Sequence, residues 1–498
     1  MASATDLRTY GLYIGGEKRE ASGGATFESI NPATGQAWAR FADATPADVD
    51  AAVMAARRAF AEGEWAAMQP ADRGRLMIRL AEIMRRDAEE FGRIESTDNG
   101  KVFRETHAQA KSHGDYLEYF AGAADKLQGT VIPTGKPAFH VYTRNEPLGV
   151  VGAIMPWNSP LQLFLFKLAP ALAAGCTVVA KPSEITPGST IEFAERVEEA
   201  GFPPGVINIV TGVGAESGKA LVEHPEVDKV AFTGSTATGK AVAQGALSHL
   251  ARVSLELGGK SANVVFEDAD VQAAVNGAIA GVFAATGQTC IAGSRLLLHE
   301  SIADEFVERL IERSSRIKVG DPLDPETEMG PVSNLVQYEK VEGMVARAVE
   351  EGAKVLCGRA AGFEVPPGDG FFTAPTVLSE VDPSMEIDRE EVFGPVTVIH
   401  RFKTEEEALA LANEGRYGLA AGVWTNDIAR SFRFAAKIRA GTVWVNTYRV
   451  MNYAVPFGGF GESGLGRELG IDAVKSFTEP KSVYVELTGA TRDPFVQG

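Results

Sequence analysis

VVGAI (Val150–Ile154), TVVA (Thr177–Ala180), VINIV (Val206–Val210), KVAFT (Lys229–Thr233) and VSLEL (Val253–Leu257) are short β-rich runs separated by stretches of helical periodicity. That alternation predicts parallel strands joined by crossover helices, an α/β domain of the nucleotide-binding kind. In such sheets ligands bind beyond the carboxyl ends of the strands. The residues there are Met155, Pro156, Trp157 and Asn158 after the first run, Lys181, Pro182, Ser183 and Glu184 after the second, and Gly234, Ser235 and Thr236 after the fourth. They supply an aromatic face, an amide, a cation, a hydroxyl, a carboxylate and a glycine turn.

Outward toward the C-terminus the alternation repeats. Ala262 to Phe266 reads as a strand, Val271 to Ala285 as a helix, and Leu296 to His299 as the next strand. Strands at Val396–Phe402, Ala421–Trp424 and Thr442–Val445, with helices at Glu405–Asn413 and Ile428–Ile438, predict a second α/β domain. Phe457–Gly470 is a glycine-rich loop, and Ser482–Leu487 a late strand with no obvious partner in its own half. Such an edge pairs with an earlier hairpin or with another subunit.

Toward the N-terminus, Tyr10–Ile30 reads as short strands broken by glycines, and Thr45 to about Lys126 as helices, opening with Thr45 as N-cap before Pro46. Gly129–Val150 alternates as a hairpin. Leu161–Ala180 is nearly all apolar and matches the ~20 residues a bilayer requires. Lys167 inside it, Pro170 as a helix breaker, and the β-branched run from Thr177 instead predict a buried helix followed by a buried strand.

The chain has 498 residues, too many for one core, and suggests two or three domains. A net charge of -18 excludes a phosphate-tracking nucleic-acid surface. Three cysteines, Cys176, Cys290 and Cys357, form neither a disulfide framework nor a metal-ligand spacing, and point to a reducing cytoplasm. The opening MASATDLRTYGLYIGGE carries Asp6 and Arg8 and shows no secretory or transit signal.

Two stretches bear on chemistry. Gly234–Gly239, GSTATG, follows a strand and opens a helix, where free N–H groups can hold a pyrophosphate. With Lys240 it spells GxxxxGK, but Ala241 stands where a P-loop needs Ser or Thr for magnesium, which argues against ATP hydrolysis. A structural glycine turn remains the alternative. TGQTCIAGSR, Thr286–Arg295, sets Cys290 among small and polar residues, so the backbone can bend and another molecule can approach the sulfur. An accessible thiol there is a candidate covalent nucleophile, against the reading of a small buried hydrophobe.

Together, PWNSP (Pro156–Pro160), KPSE (Lys181–Glu184), FTGSTATG (Phe232–Gly239), LELGGK (Leu255–Lys260), GQTC (Gly287–Cys290), EEVFGPV (Glu390–Val396) and PFGG (Pro456–Gly459) resemble the aldehyde dehydrogenase superfamily, from roughly Tyr10 to Leu487. The resemblance implies two parallel-sheet, Rossmann-like α/β domains, a cofactor domain over 1–126 and 148–258 and a catalytic domain over 259–475. A small β oligomerisation element over 127–147 and 476–498 completes it. It implies Cys290 as nucleophile, Asn158 with the Cys290 N–H as oxyanion donors, Glu256 as general base, and Lys167 and Glu468 as a proton relay. For the last two a helix-stabilising ion pair is the alternative.

NAD is the implied cofactor, with NADP disfavoured by the Glu184 carboxylate. Its implied contacts are Ile154, Pro156, Trp157, Lys181, Ser183, Glu184 and Gly214, then Phe232, Gly234, Ser235, Gly239, Leu257 and Gly258, and finally Gln337, Lys340, Glu391 and Phe393. No metal is implied. Met155, Leu161, Phe166, Ile291, Tyr448, Arg449 and Phe457 are the expected substrate contacts. Arg449 is either a reader of a carboxylate on the aldehyde or a structural ion pair. The implied partners are a small aldehyde, water as acyl acceptor and further copies of the chain as a homodimer or homotetramer, with no nucleic acid or membrane. A thiol esterase or a non-catalytic binding protein on the same scaffold is the alternative.

Overall fold

The computed structural model describes residues 7–489 and 493–495; Met1–Asp6 of the leader reading, and 490–492 and 496–498 of the C-terminal element, lie outside the described residues. Two large sheets organise the chain. The first runs, edge to edge, Gly464–Leu465, Arg252–Glu256, Lys229–Thr233, Val150–Ile154, Thr177–Lys181, Ile207–Ile209, Leu12–Ile14 and Glu17–Arg19. Of its six inner strands, the five from Arg252–Glu256 to Ile207–Ile209 are parallel and mostly buried, which is why they read as continuous apolar runs. The winding starts at Val150–Ile154, steps outward through Thr177–Lys181 and Ile207–Ile209, then returns to Lys229–Thr233 on the other side. That reversal opens a crevice at the carboxyl ends of Val150–Ile154 and Lys229–Thr233.

The second sheet is ordered Lys354–Cys357, Thr376–Ser379, Val396–Phe402, Arg295–His299, Ala262–Val265, Ala420–Trp424 and Thr442–Val445, all parallel except its first strand. Leu257–Ser261 connects the carboxyl end of one sheet to the amino end of the other. The chain later crosses back. Gly464–Leu465, inside the span assigned to the catalytic domain, pairs antiparallel with Leu255 and Glu256 as an edge strand of the first sheet. Two residues are too few to show alternation, so this crossing left no mark in the sequence.

Three further expectations change. The early strands divide, Leu12–Ile14 and Glu17–Arg19 joining the first sheet, while Arg8–Tyr10 and Thr26–Asn31 flank Gln36–Ala42 in a separate one. Pro170 does not break its helix. Pro160–Ala174 runs through it to an αL cap at Gly175, because one missing N–H bond is tolerated in a helix whose burial is otherwise nearly complete. Among the described residues no helix is long and apolar enough to cross a membrane. The hairpin at 129–150 is mostly one strand, Phe139–Pro147, which pairs antiparallel with Thr478–Glu486 of the same chain; Val131 bridges Tyr142 on its other side.

The N-terminal helices begin at Pro46–Ala61, where the Thr45 side chain accepts from the Asp48 N–H and the Asp48 carboxylate accepts from the Thr45 N–H. Trp65, fully buried, donates from Nε1 to the Gly175 carbonyl at 3.1 Å. It thereby fixes the turn that ends Pro160–Ala174 and begins Thr177–Lys181. Trp65→Ala should lower stability by about 3–5 kcal/mol, the range for truncating a large buried aromatic, visible as a lower denaturant midpoint. Trp65→Phe, which loses mainly the hydrogen bond, should cost less.

Candidate active site

The loop before Arg295–His299 holds Cys290 in a strained bend. Ala285 and Thr286 take left-handed φ values of 52° and 55°, uncommon for residues with side chains. Gly287 follows at φ 68°, and a Cβ there would lie 2.0 Å from the Gly394 carbonyl oxygen, so only glycine permits the contact. The Cys290 loop therefore packs directly on the EEVFGPV segment. Gln288 ties it down further, its Oε1 accepting from the Ser333 N–H at 2.9 Å.

Asn158 reaches this loop from the end of Val150–Ile154, its Nδ2 donating to the Gln288 carbonyl at 2.9 Å. The amide has a second N–H, and Asn158 and Cys290 border the same two cavities. The Cys290 sulfur faces the backbone N–H groups of Ile291 and Cys290 itself. Burial, with the carboxylates of Glu391 and Glu256, pushes the thiol up to about 12. At neutral pH Cys290 therefore carries its proton.

Glu256 ends Arg252–Glu256, opposite Thr233. Both its carboxylate oxygens are buried and take no hydrogen bond from the protein. Burial first, then repulsion from Glu468, raises its carboxyl well above the ordinary value. Gly458 leaves the space it occupies, since a Cβ there would sit 2.7 Å from Glu256 Oε1. Behind it, Lys167 Nζ donates to Glu468 Oε1 at 2.8 Å and to Thr233 Oγ1 at 2.5 Å, all within the protein interior. Lys167 and Glu468 are thus an ion pair, and one whose charges are felt by Glu256.

Two cavities meet at Cys290. One runs along the strand ends, between Pro156, Trp157, Gly234 and Ser235 on the first sheet's side, with Leu257 and Gly258 at the crossing and Gln337, Lys340, Glu391 and Phe393 opposite. Trp157 and Phe393 meet edge to face at 5.1 Å. Gln337 Nε2 donates to the Val392 and Phe393 carbonyls, Lys340 Nζ to the Glu391 carbonyl, and Glu391 Oε1 accepts from the Gly259 N–H at 3.0 Å. Burial raises the Glu391 carboxyl to about 7. At the far end of the crevice Lys181 Nζ donates to Glu184 Oε2 at 3.2 Å, and Glu184 Oε1 accepts weakly from Gly214 N–H at 3.4 Å.

Several expected cofactor contacts lie off this cavity. Phe232 is buried beneath Gly234, position 239 must be glycine because Leu257 lies against it, and the Ser183 hydroxyl caps its own turn by accepting from the Ile185 N–H. Ile154 is the last residue of its strand, paired with Lys181.

The second cavity is lined by Phe166, Ile291, Arg449 and Phe457, as expected. Met155, Leu161 and Tyr448 do not line it. Met155 and Leu161 are buried, Met155 bonded to the Lys181 carbonyl. Tyr448 lies in the core against Trp444 and donates from its hydroxyl to the Ile291 carbonyl at 3.0 Å, which supports the Cys290 loop from behind. An aromatic near a glycine loop reads as a mouth residue only until packing shows which face it takes. In their place stand Lys101, Gln109, Ser159, Gln162 and Thr289, which the sequence reading missed, and Met451, which lies in the mouth segment from Tyr448 to Phe457 that the sequence reading had marked. Ser159 and Gln162 adjoin Asn158 and were within reach of it; Lys101 follows the αL cap at Gly100, some sixty residues upstream, and gave no signal.

With this geometry the comparisons agree. The model of the aldehyde dehydrogenase family matches residues 19–483. A (Z)-2-((N-methylformamido)methylene)-5-hydroxybutyrolactone dehydrogenase of Acinetobacter baylyi is 46% identical over 98% of this chain and 100% of its own. Human retinal dehydrogenase 2 is 45% identical over 96% and 92%. Among solved structures, the NAD+ complex of an aldehyde dehydrogenase from Bacillus cereus superposes with a TM-score of 0.94 at 44% identity, covering 97% of each chain. A betaine aldehyde dehydrogenase from Staphylococcus aureus with NAD+ gives 0.95 at 40%, covering 99% of this chain and 98% of that one. A cysteine on a strained bend, an amide beside it and a buried carboxylate behind it, in a chain matched from end to end, place this protein in the aldehyde dehydrogenase family.

Proposed function

We propose that this aldehyde dehydrogenase oxidises an aldehyde to the free carboxylic acid with NAD, through covalent attack by Cys290. What carries the reading is that Cys290 and Asn158, with the apolar Leu163, line both cavities, so one reacting carbon can meet nucleophile, oxyanion donor and cofactor at one point.

The residues fit the dinucleotide. Gly234 opens the helix Thr236–Leu247, whose first turn is capped by Ser235 accepting from the Thr238 N–H, and the Trp157–Phe393 slot leads toward Cys290. Lys181 and Glu184 would take the adenosine ribose. Burial pushes the Glu184 carboxyl up, but Lys181 and the Gly214 N–H outweigh it and hold it below its ordinary value. The resulting anion favours NAD over NADP, whose 2′-phosphate it repels. NAD, when bound, accepts the hydride.

Glu256 takes the thiol proton, and the sulfur adds to the carbonyl carbon to give a thiohemiacetal. Its oxyanion is held by the Asn158 side-chain N–H and the Cys290 backbone N–H, dipoles fixed before reaction. Loss of hydride leaves a thioester. Glu256 passes that first proton on through Lys167 and Glu468 and then deprotonates water. The hydroxide adds to the thioester, the C–S bond breaks to release the acid, and the departing thiolate takes its proton back from Glu256. Lys167 and Glu468 offer the base a buried route for protons. The cofactor domain of 1–126 and 148–258, the catalytic domain of 259–475 and the cytoplasm as compartment belong to the same proposal.

Cys290→Ala should abolish aldehyde oxidation and ester hydrolysis while NAD still binds; NADH formation at 340 nm and NAD titration check this, and appreciable turnover would remove the mechanism. Cys176→Ser and Cys357→Ser should keep near-normal kcat.

Because Glu256 works as a base from a raised pKa, deacylation should climb as pH rises through a value above the ordinary carboxylate range, then level off. Glu256→Gln should erase that limb and slow turnover by about 10²-fold or more; a pH profile unchanged by the substitution would reassign the base. Rapid acyl transfer to coenzyme A by the native protein would contradict water as acceptor.

The ribbon of Phe139–Pro147 and Thr478–Glu486 exposes Phe139, Tyr484, Val485 and Leu487, an apolar edge best covered by a second copy. Sedimentation at micromolar concentration should give a homodimer or a dimer of dimers; an active monomer would refute this.

A further inference from the structure

The second cavity is mainly apolar, with Leu163, Phe166, Ile291, Met451 and Phe457 in its wall, but five polar side chains break that wall on one side. Lys101 enters it from the turn after Ala88–Asn99, and Gln109 from Phe103–Ala121, one turn beyond Glu105. Ser159 and Gln162 come from the start of Pro160–Ala174, and Arg449 from the segment after Thr442–Val445. Two of these are cations, and both stand beside the reacting centre. Lys101 Nζ donates to Gln109 Oε1 and to Ser159 Oγ, each at 2.8 Å, and Ser159 is the neighbour of Asn158. Arg449 Nη2 lies 3.5 Å from Thr289 Oγ1, and Thr289 is the neighbour of Cys290.

Two carboxylates stand near these cations, Glu105 in a loose ion pair with Arg449 and Glu95 on the side of Lys101, and neither makes a close bond to them. Glu105 lies 3.8 Å from Arg449, beyond hydrogen-bond range, and its Oε1 accepts from the Ala285 N–H at 3.3 Å. Glu95 is buried with a raised carboxyl and spends Oε1 on the Leu161 N–H and the Ser189 hydroxyl. His113, buried near Lys101, is pushed down to about 3 by burial and by that lysine, and so is neutral. Burial likewise pushes Lys101 down, to about 8, which leaves it mostly protonated at neutral pH. Arg449 makes only two protein hydrogen bonds, both 3.5 Å, so its fork is weakly engaged. It is also held at φ 70°, a conformation that costs energy and persists only where packing imposes it.

We infer that Lys101 and Arg449 form an anion subsite for the far end of the substrate, and that the substrate class is a short oxo-acid, an aldehyde with a carboxylate a few carbons from its carbonyl. This rests on Cys290 being the nucleophile proposed above. A carboxylate there accepts the Arg449 fork and the Lys101 ammonium, with Gln162 as a neutral donor at the wall. The closeness of both cations to Asn158 and Cys290 sets the short spacing. It also argues against a long apolar aldehyde, which would have to desolvate both charges without replacing their partners.

The test compares kcat/KM for 4-oxobutanoate, butanal and 4-hydroxybutanal in the native protein, Lys101→Met and Arg449→Met. The native protein should favour 4-oxobutanoate by roughly tenfold or more. Each Met variant should lose about tenfold or more on that substrate, as expected for a charged hydrogen bond, while butanal changes by less than about threefold. Arg449→Lys should retain part of the preference. Equal native rates on 4-oxobutanoate and butanal, or equal losses on both in the variants, would overturn the subsite. A second readout needs no turnover: succinate should slow alkylation of Cys290 by iodoacetamide in the native protein and fail to do so in the Met variants. Should the native protein oxidise none of the three aldehydes, the fault lies with the proposed oxidation. Succinate protection then decides the subsite alone, its presence supporting it and its absence overturning it.

Discussion

Everything at the site depends on one crossing, where Leu257–Ser261 carries the chain from the carboxyl end of one parallel sheet to the amino end of another. Strand carboxyl ends gather loops that face a ligand. Here those loops meet the loop that precedes Arg295–His299, so Asn158, Gly234 and Glu256 come from one sheet and Cys290 from the other. The crossing is clamped by the returning segment at 463–465, where the Leu257 N–H donates to the Ser463 carbonyl and Gly464 pairs with Glu256. Loosening that clamp would move Glu256 relative to Cys290 without touching either residue.

Close backbone approach supplies the second constraint. Gly287 against Gly394 brings the Cys290 loop onto the segment bearing Glu391 and Phe393, and Gly458 makes room for the Glu256 carboxylate. Some backbone strain is stored beside the site: Ala285, Thr286, Phe393 and Arg449 are four of the eight non-glycine residues with positive φ among the described residues. Such strain is sustained by surrounding packing, and Tyr448, bonded to the Ile291 carbonyl beneath the loop, is part of that support.

Burial does the rest by raising proton affinities. Buried side by side, the Cys290 thiol is pushed to about 12 and the Glu256 carboxyl is pushed upward as well. In the adjoining cavity two cations, Lys101 and Arg449, stand with the carboxylates Glu95 and Glu105 close by.

The sequence by itself determined the α/β class and the alternation of strands with helices, and it singled out Asn158, Glu256 and Cys290 as the candidate trio. Parallel strands buried on both faces must be continuous apolar runs, and the residues that end them are locally encoded at Asn158, Gly234 and Glu256. Cys290 was legible because glycines and small residues flanked it within ten positions. What only the tertiary structure decided were relations between distant segments: the edge strand Gly464–Leu465 crossing to the other sheet, the partner of Thr478–Glu486, the withdrawal of Met155, Leu161 and Tyr448 into the core, and the meeting of Lys101 with Arg449 across nearly 350 positions. Periodicity records which face of an element is buried. It carries no record of which other segment does the burying, and a specificity pocket is made of those meetings.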